Sequence, residues 1–246
     1  MKAMILAAGL GTRLRPLTND RPKALVEVGG RTLLEIVLTR LRKFEIQEVI
    51  INVHHFPDMI VEFLKAHDNF GVRIEISREE IVLDTGGGLK KAAYFFANDD
   101  QPFLLHNVDV ISAIDFQRML DYHLERRALT TLAVHDRPTS RYLLFDENLQ
   151  FCGRRSTKDA NDQIVRETRE KKAFAFSGIH IISPAIFAKI SEDGVFSIID
   201  AYLRLAAEGE KIHAFRADEY YWRDLGRIEH LLQIEDDAKR RLLPEV

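Results

Sequence analysis

Residues 2–7 (KAMILA) form an almost unbroken apolar run, the pattern of a strand buried on both faces. In 32–44, Leu33, Leu34, Val37, Leu38 and Leu41 recur at helical spacing and predict an amphipathic helix. Residues 48–53 (EVIINV) predict a second strand. Pro57 opens a helix with Ile60, Val61 and Leu64 on one face, and Gly71 closes it. A strand at 72–77, a helix from near Gly87, a strand at 102–107, a helix at 115–127 and a strand at 129–134 continue the alternation. Strand and helix in turn imply a largely parallel sheet with right-handed crossovers, a Rossmann-like three-layer α/β/α arrangement. Ligands then bind beyond the carboxyl ends of the strands.

The pattern changes after residue 135. Residues 141–153 predict an antiparallel hairpin. Segment 154–172 carries seven basic and four acidic residues with almost no apolar ones, and reads as a mobile arm or an extended hairpin. A strand at 173–182, helices near 184–190 and 197–208, a strand at 211–215 and an amphipathic helix near 227–242 follow. No internal repeat and no linker rich in Pro, Gly or Ser divides the chain. One domain over 1–246 is expected, with halves at 1–135 and 136–246.

Composition narrows the classes. The 246 residues are 46% apolar and 30% charged, with a net charge of −3. That balance lacks the basic footprint of a nucleic-acid groove, so an anionic ligand must be held by a local cluster. A single cysteine, Cys152, excludes a disulfide framework and a cysteine-rich metal site, and suits a reducing cytoplasm. No apolar stretch reaches the roughly 18 residues of a membrane span. His54 and His55 are adjacent on an extended segment, point opposite ways, and read as loop or cap residues. Trp222 reads as core packing.

The cluster is found at once after the first strand, in GLGTRLRPLTNDRPK (9–23), where Arg13, Arg15, Arg21 and Lys23 fall within eleven residues. A dinucleotide fingerprint would need a third glycine at position 14, which is Leu. A P-loop would need Gly-Lys-Ser/Thr, which is absent. A plain basic surface loop is the bland alternative. A phosphate site has the stronger physics: Gly9 and Gly11 let backbone N–H groups approach an anion, Arg13 offers a planar fork, and Lys23 adds a point charge after Pro22.

Three other segments carry candidate chemistry. EEIVLDTGGGLKKA (79–92) places Gly86, Gly87 and Gly88 at a helix start, where backbone donors could meet a flat ligand edge or simply form a tight turn. Glu79, a carboxylate, can only accept hydrogen bonds. PFLLHNVDVIS (102–112) ends a buried strand in Asp109, a costly carboxylate unless paired, metal-bound or capping. YYWRDLGRIEHL (220–231) sets Asp224 between a short aromatic strand and a helix, where it could also be an N-terminal cap.

Together, LAAGLGTRLRPLT with PKALV, LDTGGG, FLLHN, WRDLG and FSGI resemble the motifs of the sugar-1-phosphate nucleotidyltransferases over nearly the whole chain. Within that family they look most like N-acetylmuramate-1-phosphate uridylyltransferases and mannose- or heptose-1-phosphate guanylyltransferase-like proteins. The resemblance implies a nucleotide-binding first half and a small C-terminal sugar-binding subregion. It implies that Arg13 and Lys23 are catalytic, and that Leu6, Ala8, Gly9, Gly11, Thr12, Glu79, Thr85, Gly86 and Gly87 bind the nucleotide. Asn107, Ser177 and Gly178 would meet the sugar phosphate, and Asp109 and Asp224 would bind Mg²⁺. Asp84 and Val108 stand where the family commonly has glycine, and the family's Glu-Lys-Pro sugar motif is not recognisable in 150–172.

The expected reaction is Mg²⁺-dependent transfer of a nucleotidyl group from an NTP, UTP or GTP favoured, to a sugar 1-phosphate in cell-envelope polysaccharide synthesis. Two alternatives stand beside it: an inactive nucleotide- or NDP-sugar-sensing subunit, and a phosphocholine cytidylyltransferase on the same fold. The partners are small molecules, with no nucleic acid and no membrane, and a homodimer is left open.

Overall fold

The computed structural model describes residues 1–97, 99–158 and 161–239. The chain begins with β1 (Ala3–Leu6), the antiparallel pair β2 (Glu27–Val28) and β3 (Arg31–Thr32), α1 (Leu33–Lys43), β4 (Glu48–Val53), α2 (Pro57–Ala66), β5 (Arg73–Arg78), α3 (Asp84–Lys91) and β6 (Phe103–Asn107). It continues with β7 (Val110–Ser112), α4 (Phe116–Arg126), β8 (Thr130–His135), β9 (Arg141–Phe145), β10 (Phe151–Ser156), β11 (Gln163–Ile164) and β12 (Lys172–Ile182). Then come α5 (Ile198–Ala207), β13 (Ile212–Arg216), β14 (Trp222–Asp224) and α6 (Ile228–Lys239).

The central sheet is mixed. β5, β4, β1 and β6 run parallel, as the strand–helix alternation of the first half requires. From β12 outward through β9, β10 and β11 the pairing is antiparallel, and β8 joins β12 antiparallel and β13 parallel. Strand periodicity splits the core in two. Ala3, Ile5, Val49, Ile51, Val53 and Leu104 face α1, α2 and α4. Met4, Ile50, Phe103 and Leu105 face α3 and α5 on the other side. Helix starts are capped: the Thr32 hydroxyl accepts from the Glu35 N–H, and the Asp115 carboxylate from the Arg118 N–H.

The expectations for the second half are met in part. The charged 154–172 segment folds in part as an extended hairpin, β11 pairing with β10 through Gly153–Ile164 and Arg154–Gln163; residues 159 and 160 lie outside the described residues. The expected helix near 184–190 is a 3-10 turn, Pro184–Ala188. Positions 240–242 of the expected last helix lie outside the described residues. No helix among the described residues is long and apolar enough to cross a membrane.

Buried histidines give the fold an acid limit. Burial holds His106 and His123 down to about 4 and His180 to about 3. Their hydrogen bonds go to the Asn107 carbonyl, to Thr131 and Ser183, and to the Tyr202 hydroxyl. Unfolded histidine titrates near 6.5, so the unfolded chain takes up protons first and stability falls as pH drops from about 6.5 toward 4. Each such histidine contributes a slope of up to ~1.4 kcal/mol per pH unit. Urea unfolding at pH 7.5, 6.5 and 5.5 checks this, because carboxylates have barely begun to titrate there. A flat unfolding free energy across that range would contradict it.

Candidate active site

The loop leaving β1 is set by one glycine and one leucine. Gly11 has φ +64°, and a Cβ there would meet Thr18 Cγ2 at 2.9 Å, so this tight turn favours glycine. The Thr18 hydroxyl donates to the Gly11 carbonyl at 2.8 Å and closes the loop. A 3-10 turn, Thr12–Leu14, follows; Leu14 is fully buried while Arg13 is left exposed. Leu14 packs with Ile111 and Leu225 in a small third core that also holds Val26, Val28, Leu33, Ile36 and Ile234. That core clamps the Arg13 loop to the residues flanking both candidate metal carboxylates. On the return path Ala24 and Leu25 are buried, and the Lys23 ammonium donates to Asp109 Oδ2.

Strand pairing brings the two carboxylates together. β14 pairs with β7, placing Asp224 opposite Val110, and the Leu225 N–H donates to the Asp109 carbonyl at 2.7 Å. Gly226 marks where they meet. A Cβ built there would stand 2.8 Å from Asp224 Oδ1, 3.0 Å from Asp109 Oδ2 and 3.1 Å from Arg13 Nη2. No group of three His, Cys, Asp or Glu side chains able to hold a metal occurs among the described residues. The donors present are two carboxylates, an all-oxygen pair suited to a hard cation that completes its shell with phosphate oxygens and water.

Val108 answers for the glycine it replaces. Its side chain is buried in the core on the α1, α2 and α4 side, and its N–H donates to the Leu6 carbonyl. It therefore takes no room from the cleft. Asp84 adopts φ +58°, the left-handed region where glycine is unstrained and Asp is tolerated.

A cleft of about 220 Å³ opens beside this corner, at the carboxyl ends of β1 and β6. Of the residues expected at the site, Leu6, Ala8, Gly9, Arg13, Lys23, Glu79, Thr85, Asn107 and Asp109 line it. Asn52 and Val82, which sequence reasoning missed, line it as well, as does Asp84, noted there only as a residue in a glycine's place. Asn52 had a signal: an amide inside the apolar run IINV. Its Oδ1 accepts from the Ala7 N–H at 2.7 Å and its Nδ2 donates to Glu79 Oε1 at 2.8 Å.

Other expected contacts need correction. The Gly86 and Gly87 N–H groups donate to the Phe196 carbonyl, at 2.9 and 3.3 Å, rather than facing a nucleobase. Those glycines exist for close packing, since a Cβ would come within 2.2 Å of the Phe196 ring or the Gly194 carbonyl. Glu79 is buried and already engaged: besides Asn52, it accepts from the Leu83 N–H at 2.9 Å. It lines the cleft with one bond already accepted at each carboxylate oxygen. Ser177 is fully buried with its hydroxyl bonded to His135, so it is no sugar contact. Gly178, φ +75°, sits in a bulge of β12 against the Asn107 amide. Gly11 and Thr12 shape the loop and do not line the cleft.

A second cleft, of about 470 Å³, lies against β9 and β10 and includes Arg141, Tyr142, Arg154, Phe176 and Ser197. The two clefts adjoin: Ile198, between lining residues Ser197 and Ile199, donates its N–H to Thr85 Oγ1 of the first cleft at 3.0 Å.

The chain has counterparts among known proteins. The profile of the family described as Nucleotidyl transferase matches residues 2–241. The N-acetylmuramate alpha-1-phosphate uridylyltransferase of Caulobacter vibrioides is 37% identical over 238 residues, covering 91% of each chain. The mannose-1-phosphate guanyltransferase of Debaryomyces hansenii is 31% identical over 94% of this chain, which spans 63% of that protein's length. The crystal structure of HddC from Yersinia pseudotuberculosis complexed with GMP-PN superposes with a TM-score of 0.76 at 21% identity, over 96% of this chain and 99% of that one, a likeness of fold.

Proposed function

This chain belongs to the nucleotidyl transferase family, and from that premise we propose that it transfers a uridylyl group from UTP to N-acetylmuramate α-1-phosphate, releasing pyrophosphate. Guanylyl transfer to mannose 1-phosphate is the second reading, favoured by the guanyltransferase relatives. The uridylyl reading is preferred because its relative matches from end to end, 91% of each chain, whereas the guanyltransferase is matched over 63% of its length. The observation that carries nucleotidyl transfer itself is the meeting of Arg13, Asp109 and Asp224 around one point at Gly226.

In the proposed reaction an oxygen of the sugar phosphate attacks the α-phosphorus of the NTP. The α–β phosphoanhydride bond breaks, and its electron pair leaves with pyrophosphate. The nucleophile is already anionic, so no general base is required. Asp109 and Asp224 would hold Mg²⁺, which when bound neutralises charge on the phosphate oxygens. Arg13 extends its fork over the same corner to stabilise the charge that develops on the phosphoryl oxygens. Lys23, set by its bond to Asp109, would stand between the α-phosphate and the sugar phosphate. The work is positioning plus charge neutralisation.

A pyrophosphate-release screen of four NTPs against N-acetylmuramate, N-acetylglucosamine, mannose and glucose 1-phosphates tests the reading, with and without Mg²⁺. Highest turnover with UTP and N-acetylmuramate α-1-phosphate, lost in EDTA and restored by added Mg²⁺, is expected. Preference for GTP and mannose 1-phosphate would select the second reading. Nucleotide binding without pyrophosphate release from any pair would replace both with a sensing subunit.

A further inference from the structure

Arg137, between β8 and β9, has no part in the site described above. Its guanidinium stacks on Trp222, 4.1 Å from the ring centre. Nη2 donates to the Phe176 carbonyl at 3.1 Å and Nη1 to the Pro138 carbonyl at 3.5 Å, while the buried Nε has no partner among the described residues. No carboxylate among the described residues forms an ion pair with it. The Trp222 platform is itself fixed, its indole N–H donating to the Ser177 carbonyl at 2.8 Å. Burial pulls the Arg137 pKa below the usual arginine value, while the charges of Asp224 and Tyr142 act to raise it. Trp222 shares the short strand β14 with Asp224 of the metal corner, and Phe176 lines the second cleft, so the contacts of Arg137 place it between the two.

A half-buried cation without an ion pair is costly to keep. A planar fork held by stacking, with N–H capacity to spare, suits the oxygens of a phosphate. If the function proposed above holds, two polyanions meet at this corner. Arg13 already stands at Gly226, and Lys23 is bonded to Asp109. The geometry points to Arg137 as the residue that binds the phosphate of the acceptor sugar 1-phosphate and holds it between Asp224 and the second cleft. This role rests on that function only for the identity of the acceptor; the anion site itself does not.

Trp222 is the chain's one tryptophan, so its emission reports on an anion reaching the guanidinium stacked upon it. Wild type, Arg137→Met and Arg137→Lys are titrated with inorganic phosphate while Trp222 emission is followed. Their KM values are then measured for UTP and for N-acetylmuramate α-1-phosphate, and their melting temperatures are recorded. Phosphate is expected to shift the emission of wild type and not that of Arg137→Met. The KM for the sugar phosphate should rise about 10- to 100-fold in Arg137→Met, with the KM for UTP changed less than about twofold and a partial return in Arg137→Lys. An emission response kept in Arg137→Met, or both KM values rising together, would overturn the role. If Arg137→Met melts below the assay temperature, the same split read in Arg137→Lys decides. If wild type turns over no sugar phosphate, the proposed function fails, and the phosphate titration still decides the anion site.

Discussion

Arg13→Ala leaves the fold intact and lowers the rate of pyrophosphate release by about 10³- to 10⁵-fold, the range set by other arginines that stabilise a phosphoryl transition state. That range corresponds to ~4–7 kcal/mol of barrier. The fold survives because the Arg13 side chain is exposed, while its neighbour Leu14, fully buried, fixes the loop. The rate does not survive because the guanidinium stands over the point where both candidate metal carboxylates converge. Arg13→Lys keeps the charge and loses the two-pronged geometry, so it should recover only part of the rate. Steady-state pyrophosphate release and a thermal melt together check this. Unchanged turnover in Arg13→Ala would remove the residue from the mechanism.

Gly226→Ala has the second large effect: a loss of at least about 100-fold in rate, as expected when reacting groups are displaced by about 1 Å. The added methyl would press against Asp224 Oδ1, Asp109 Oδ2 and Arg13 Nη2, at 2.8, 3.0 and 3.1 Å, and at least one must move. The Gly226 N–H donates to Asp224 Oδ1 at 2.6 Å, so any backbone shift that relieves the crowding also turns that carboxylate. All three crowded atoms belong to side chains, so the cost falls on their placement more than on folding. A Mg²⁺ titration of turnover separates the outcomes. Reduced apparent Mg²⁺ affinity with an unchanged melt is expected; wild-type rate and Mg²⁺ response would show that the corner tolerates the methyl.

The strands and helices of the first half were legible because burial on a sheet and burial of one helix face leave different periods in the sequence. The Arg13 loop was legible because its cations crowd into a chain of near-neutral balance. The reason for a glycine was not. Gly86 and Gly87 suggested open donors, yet they serve the approach of Phe196 and Gly194, about 110 positions away. Ser177 was matched by family resemblance alone, and the bulge around Gly178 shifts the alternation and turns its hydroxyl to His135. Asp109 and Asp224 were matched only by family resemblance. Their physical link is the pairing of β7 with β14, two three-residue strands too short to announce themselves. Gly226 stood within the WRDLG match, but its closeness to Asp109 and Arg13 was not visible there, and Arg137 left no local signal, because both owe their surroundings to distant segments.

The β7–β14 pairing also has a meaning in time. A chain is made from its amino end, so the loop carrying Arg13 and Lys23 leaves the ribosome before Asp109, and Asp224 follows 115 residues after Asp109. Until β14 zips onto β7, the nascent protein carries its cations without the second carboxylate that completes the corner. Topology thereby makes the assembled corner one of the last features the folding chain can complete.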